Sequence, residues 1–158
     1  MAGAGKSTIG ALLAKRLGWA FMDTDYLIEA LYAAPLQRIT DATDRESFLD
    51  LEAGMVANLQ AANCVIATGG SVIYRKHAME HLLALGPVVH IWAEPEKIME
   101  RIALKPERGI VLAPGQCLED LLQERMPFYE HYATLTCDSG KLDAAQCVNE
   151  ILSKLNGK

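Results

Sequence analysis

The sequence predicts an α/β fold: a parallel sheet with helices packed on both faces. Three observations carry that expectation. Short apolar runs alternate with amphipathic stretches along the whole chain. A glycine-rich turn opens straight into the first of those stretches. The two early apolar runs each end in a small polar cluster, Asp23-Thr24-Asp25 and Thr68-Gly69-Gly70. Ligands of open parallel sheets bind beyond the carboxyl ends of the strands, so the glycine-rich turn and both clusters are expected in one cleft.

The opening stretch, Gly3-Ala4-Gly5-Lys6-Ser7-Thr8, is the end of a phosphate-binding loop of the form G-x-x-x-x-G-K-[ST]. Its glycines let backbone N–H groups turn inward toward phosphate oxygens. The helix that follows points its positive end at the same place. Lys6 adds a full charge near the β- and γ-phosphates, and Ser7 offers a hydroxyl to Mg²⁺. The loop's first glycine, and the hydrophobic strand that feeds such a loop, would both precede Met1. The expectation is therefore a start assigned too late or a shortened chain. A glycine-rich tail ahead of an ordinary helix is the alternative, and the pattern Ile9, Leu12, Leu13, Leu17 speaks against it.

Lys6 to Leu17 reads as a helix that Gly18 stops. Trp19 to Met22 is a short buried strand that delivers Asp23 and Asp25 at its end. A helix from about Tyr26 to Ala34 is closed by Pro35. Phe48 to Leu59 carries Phe48, Leu51, Met55 and Leu59 at helical spacing. Cys64 to Ala67 is a second buried strand, and His77 to Leu85 a helix closed by Gly86-Pro87. Val88 to Trp92 is a third strand. Pro95 opens a helix at its first turn. Lys105 to Gly115, with two prolines and two glycines, is a loop. Leu118 to Glu124 is helical, Ala133 to Cys137 a strand, and Ala144 to Leu155 a closing amphipathic helix. The sequence holds no internal repeat and no linker, so residues 1–158 are read as one domain.

Composition bounds the function. The chain is 158 residues long and 51% hydrophobic, enough for a proper core. A net charge of −5 argues against a nucleic-acid-binding surface. No apolar run approaches the ~20 residues a membrane span needs. The N-terminus lacks the charged-then-apolar order of a signal peptide. Cys64, Cys117, Cys137 and Cys147 form no CxxC pair and no metal spacing, and read as reduced buried thiols of a cytoplasmic protein. The four histidines show no ligand spacing. A monomer is the expected state.

The candidate site residues follow from these placements. Asp23 and Asp25 share a face if the chain is extended there. One could hold Mg²⁺ through water while the other takes a proton from an attacking hydroxyl; a helix cap at Thr24 or Asp25 would look the same. Gly69 and Gly70 could bring backbone amides against a substrate, or merely turn the chain. Arg101 and Arg108 bracket the entry to the 105–115 loop, which could close over ATP and carry an arginine to the transferring phosphate. Arg125, just before a proline expected to end its helix, could fork onto a carboxylate, or pair with Glu124 or Glu130.

GAGKST, Phe21-Met22-Asp23-Thr24-Asp25, Phe48-x-x-x-Glu52, Ala67-Thr68-Gly69-Gly70-Ser71-Val72, an arginine loop and Glu124-Arg125-Met126-Pro127-Phe128-Tyr129-Glu130 occur in this order. Together they resemble the shikimate kinase family, nearly end to end. The resemblance implies a three-layer P-loop kinase fold with sheet order 2-3-1-4-5, its first strand missing from this chain. It implies an acceptor-binding helical region over about residues 26–60 and a lid over about 104–116. It implies ATP on Gly3, Ala4, Gly5, Lys6, Ser7 and Thr8, and Mg²⁺ at Ser7 and Asp23. Asp25 would meet the acceptor hydroxyl, Gly69 and Gly70 would line the acceptor, Arg108 would reach the phosphates, and Arg125 would bind the acceptor's carboxylate. Lys6, Asp25 and Arg108 would be the catalytic set.

Departures from the pattern sit in the acceptor half. Leu49 stands where the family has an arginine expected to grip the acceptor carboxylate. Ser71 replaces the third glycine, and Leu104 lies near the place of an upstream lid arginine. Three readings follow: a shikimate kinase with a modified acceptor site, a related kinase for another acceptor such as homoserine, or a non-catalytic nucleotide-binding domain.

Overall fold

The structure is a computed structural model that describes residues 1–104 and 109–157. In chain order the elements are α1 (Lys6–Leu17), β1 (Ala20–Asp23), α2 (Thr24–Tyr32), α3 (Leu36–Asp41), α4 (Arg45–Ala57) and β2 (Cys64–Ala67). A 3₁₀ turn (Val72–Tyr74) leads to α5 (Lys76–Leu85), β3 (Val89–Trp92), α6 (Pro95–Ala103), α7 (Leu118–Tyr132), β4 (Leu135–Asp138) and α8 (Ala144–Asn156).

The strands form two parallel pairs. β1 lies beside β2 with Asp23 opposite Ala67, and β3 lies beside β4 with Trp92 opposite Asp138. All four run the same way, so Asp23, Ala67, Trp92 and Asp138 finish at one end. The pairs β1-β2 and β3-β4 are the two flanks of the expected order 2-3-1-4-5. Between the two pairs lies an apolar cleft of about 470 Å³, lined by Val65, Ile66, Val89 and Ile91 from the strands and Ile9 and Leu13 from α1. Lys6, Gly69, Gly70 and Tyr129 also line it.

Helices cover both faces, as expected. On one face Ile9 and Leu13 of α1 pack with Val148 and Ile151 of α8 over Ile91 and Cys137, with Val65 alongside. On the other, Ala53 and Val56 of α4 meet Ala78, Met79 and Leu82 of α5 and Val72 and Ile73, with Ile66 alongside. Adjacent Val65 and Ile66 serve opposite faces because successive strand residues alternate.

Several local expectations need correcting. Leu12 is 40% exposed, so the buried stripe of α1 is Ile9, Leu13 and Ala14. β1 is the outer member of its pair, which leaves Ala20 and Phe21 exposed instead of buried. Pro35 closes no helix directly. Ala33 ends α2 in the left-handed conformation, and Pro35 starts α3, whose first amide is capped by the Glu29 carboxylate at 2.8 Å. Pro127 lies inside α7, which continues to Tyr132. The proline removes one amide, from the bond that the carbonyl of exposed Gln123 would accept, while buried Leu121, Leu122 and Arg125 hold the helix in place. Of the cysteines, Cys137 and Cys147 are buried, but Cys117 is exposed; all four are free thiols.

Candidate active site

The opening loop has the backbone geometry that an anion cradle needs. Gly3 and Gly5 have φ of +78° and +95°, a conformation open to glycine and strained for other residues. A Cβ on Gly3 would also stand 3.1 Å from the carbonyl of Ile98. Gly5 caps α1 without any side-chain hydrogen bond, and among the described residues no side chain bonds the first amides of α1. Lys6 donates to the carbonyl of Met1 at 2.8 Å, which holds its ammonium across the loop. Burial lowers the Lys6 pKa from its ordinary value, opposed by Asp25 and Asp23.

Arg101 ties this loop to the far sheet pair. It donates to the carbonyl of Gly3 at 3.3 Å and to that of Ser139 at 2.9 Å, while the Ser139 hydroxyl donates to the carbonyl of Ala4 at 2.7 Å. Arg101 therefore braces the loop. Arg108 lies outside the described residues. Beyond it, Gly109 donates to the Gln37 side chain at 3.0 Å and packs on Leu36 of α3.

The acids arrive by a route other than the one expected. Asp23 is the last residue of β1 and Asp25 is in the first turn of α2, so they do not share an extended face. The cap is Asp23 itself, whose carboxylate accepts from the Asp25 amide at 3.0 Å. Its other oxygen accepts from the Ser7 hydroxyl at 2.6 Å. That contact joins the opening loop to the acid cluster. Burial raises the Asp25 carboxyl above its usual range, Lys6 opposes the rise, and Asp23 adds to it.

The register of β1 on β2 brings the second cluster alongside. The Gly69 amide donates to Thr24 at 3.0 Å. A Cβ on Gly69 would fall 1.9 Å from Glu52 and 2.8 Å from Asp25, and one on Gly70 would fall 2.9 Å from Arg125 and 3.2 Å from Tyr129. The glycine pair thus runs between the two acids on one side and the guanidinium on the other. Arg125 is 4% exposed, and among the described residues no carboxylate comes within ion-pair distance of it. Its neighbours are the hydroxyl of Tyr74, to which it donates at 3.2 Å, and the sulfur of Met1.

Glu52, Tyr74 and Tyr129 were not singled out as site residues from the sequence. Glu52 is 1% exposed and accepts from Ser71 at 2.6 Å; burial pushes its carboxyl up to about 7, against that hydrogen bond. Its signal was present: it follows Phe48 by four residues and Leu49 by three, a charge on the buried face of α4. The tyrosines gave no such signal, because only the tertiary fold brings them to the glycine pair.

A hydroxyl and a carboxylate oxygen in contact, Ser7 and Asp23, suit a hard divalent cation that completes its shell with phosphate oxygens and water. Among the described residues no group of three or more His, Cys, Asp or Glu forms a dedicated metal cage, so such an ion would be shared with a phosphate ligand.

A parallel α/β sheet, an uncapped anion loop with its lysine, and two acids facing a glycine pair define a P-loop phosphotransferase for small molecules. The shikimate kinase family model matches residues 2–156. The chain is 38% identical to the shikimate kinase of Pseudomonas syringae pv. syringae over 97% of its own length and 91% of that protein's, and 35% identical to that of Histophilus somni over 98% and 90%. Among solved structures it resembles the shikimate kinase of Acinetobacter baumannii in complex with shikimate, with a TM-score of 0.89 and 30% identity over 98% of this chain and 88% of that one. The shikimate kinase of Aquifex aeolicus gives 0.82 and 28%, over 98% and 91%. The chain belongs to the shikimate kinase family, whose members use ATP to phosphorylate an alcohol group.

Proposed function

We propose that this enzyme transfers the γ-phosphoryl group of ATP to a hydroxyl of shikimate. One observation carries the reading. An unbroken run of contacts leads from Ser7 through Asp23 and Asp25 to Gly69, Gly70 and Arg125. A phosphate cradle and a carboxylate anchor thus stand on the two sides of one cleft, with a candidate base between them.

Gly3, Ala4, Gly5, Lys6, Ser7 and Thr8 bind the triphosphate, the loop amides and the Lys6 ammonium answering its negative charge. Ser7 and Asp23 would hold Mg²⁺, which when bound would supply charge neutralisation to the phosphates. Asp25 orients the acceptor hydroxyl and takes its proton as the oxygen attacks; its raised affinity for a proton suits that task. Gly69 and Gly70 leave room for the acceptor beside Asp25 and Glu52. Arg125 binds the acceptor's carboxylate, which would give the buried guanidinium the partner it lacks. We assign Arg108 to the phosphates, as the resemblance implies.

We infer one domain over residues 1–158, with the helices of about residues 26–60 covering the acceptor and residues 104–116 serving as lid. We take the enzyme to act as a monomer. Among the described residues no helix is long and apolar enough to cross a membrane. We take the enzyme to be cytoplasmic, and the net charge of −5 argues against a nucleic-acid partner.

A turnover assay with ATP against shikimate, homoserine and gluconate tests the reading. Phosphorylation of shikimate at the highest kcat/KM is expected. A preference for homoserine would transfer the mechanism to another acceptor, and ATP binding without any phosphoryl transfer would reject it.

A further inference from the structure

We propose that Arg45 is the second cation of the acceptor's carboxylate anchor. The inference rests on the shikimate reading above and deepens it at the same site.

Arg45, Leu49 and Glu52 are spaced i, i+4 and i+7, so they share one face of α4. Glu52 on that face reaches the glycine pair. Leu49, one turn nearer the start of α4, is 3% exposed and offers no polar group. Arg45 is one turn nearer still, about 6 Å from Leu49 along the helix, and its side chain is long enough to cover that distance. Its present contacts point toward Arg125. The guanidinium carbon of Arg45 is 5.1 Å from the centre of the Tyr74 ring, and that of Arg125 is 5.3 Å from the same centre. The Tyr74 hydroxyl accepts from Arg125 and donates to Glu124 at 2.6 Å, and Arg45 donates to that same Glu124 oxygen at 3.0 Å. Both arginines therefore lie against one tyrosine ring and are linked through its hydroxyl and Glu124.

Glu124 acts as a stand-in for an anionic ligand. Its contact with Arg45 is partly open to solvent, with side chains 29% and 35% exposed, the kind of pair that adds little to stability. Glu124 keeps two other donors, Tyr74 and Gln116, when Arg45 leaves. Nor does α4 gain from the charge: Arg45 is its first residue, where a cation opposes the helix dipole. Releasing Glu124 therefore costs little, while joining Arg125 on a buried carboxylate forms charge-assisted bonds of the stronger kind. Arg45 thus restores, from one turn earlier, the positive charge that Leu49 does not supply.

The test compares the whole parent chain with Arg45→Ala and Arg45→Lys, using shikimate and its uncharged carboxamide as acceptors. For Arg45→Ala the KM for shikimate should rise about tenfold or more, with kcat and the KM for ATP within about twofold of the parent. The KM for the carboxamide should stay unchanged, a distinction that a merely structural Arg45 would not make. Arg45→Lys should recover part of the loss. An unchanged KM for shikimate in Arg45→Ala, or equal losses with acid and carboxamide, would overturn this inference and leave the functional reading standing. A parent chain that does not turn over shikimate would overturn both.

Discussion

The proposed nucleotide half and the proposed acceptor half of the cleft are built on different principles. The first is local and made of backbone. Gly3, Gly5 and the start of α1 shape the anion cradle within a few residues, and Arg101 and Ser139 only brace it. The second is assembled from afar and made of side chains. Glu52, the glycine pair, Tyr74 and Arg125 come from α4, the segment after β2 and α7, joined by contacts such as Gly69 with Glu52 and Arg125 with Tyr74. A backbone cradle tolerates change around it because its donors belong to no side chain. A side-chain pocket can be retuned by single replacements, and in this chain Leu49 and Ser71 lie in that half.

Breaking the local half should cost the most. Lys6→Met removes the full charge that Lys6 brings to the cradle. It should lower kcat on the order of 10³-fold, while the melting transition stays close to the parent's. Unchanged turnover would take Lys6 out of the chemistry. Asp25→Asn stands at the boundary of the halves. Loss of the base should lower kcat on the order of 10²-fold with KM values little changed; near-parental kcat would reject that role.

A smaller effect separates the halves by stability. Glu52, raised to about 7 by burial, binds its proton in the native state before it does when unfolded, so its stabilising effect fades as pH climbs toward 7. His90, stacked on Tyr129 and held down at about 4 by burial, resists its proton in the native state, so its contribution grows as pH rises from about 4 to its ordinary value. The two slopes oppose each other. Glu52→Gln removes the falling one. Relative to the parent, its stability should rise by up to about 3 kcal/mol between acid and neutral pH, read from urea midpoints. Parallel profiles would show that Glu52 is not held protonated.

The same division decided what the sequence could reveal. The cradle was legible because its residues are adjacent, and the glycine pattern has one physical use. The helix–strand alternation was legible because periodicity survives without tertiary information. The sequence hides α3 because Pro35 reads as a stop although it can equally open a helix, and it hides the end of α7 because Pro127 reads as a stop although the helix runs through it at the loss of one amide. The spacing of Asp23 and Asp25 suggested a shared extended face, whereas Asp23 bends back to cap α2. Arg45 gave no signal at all: an arginine in a helix's first turn reads as solvated until the fold brings Tyr74 and Glu124 against it.

The most direct test of the cleft as a whole is the response of the two KM values to Arg125→Lys, which keeps the charge and loses the planar fork. The KM for shikimate should rise about tenfold or more while the KM for ATP stays at the parent's value. An unchanged KM for shikimate, or an equal rise for both substrates, would contradict a cleft with its carboxylate anchor at Arg125 and its phosphate cradle at Lys6.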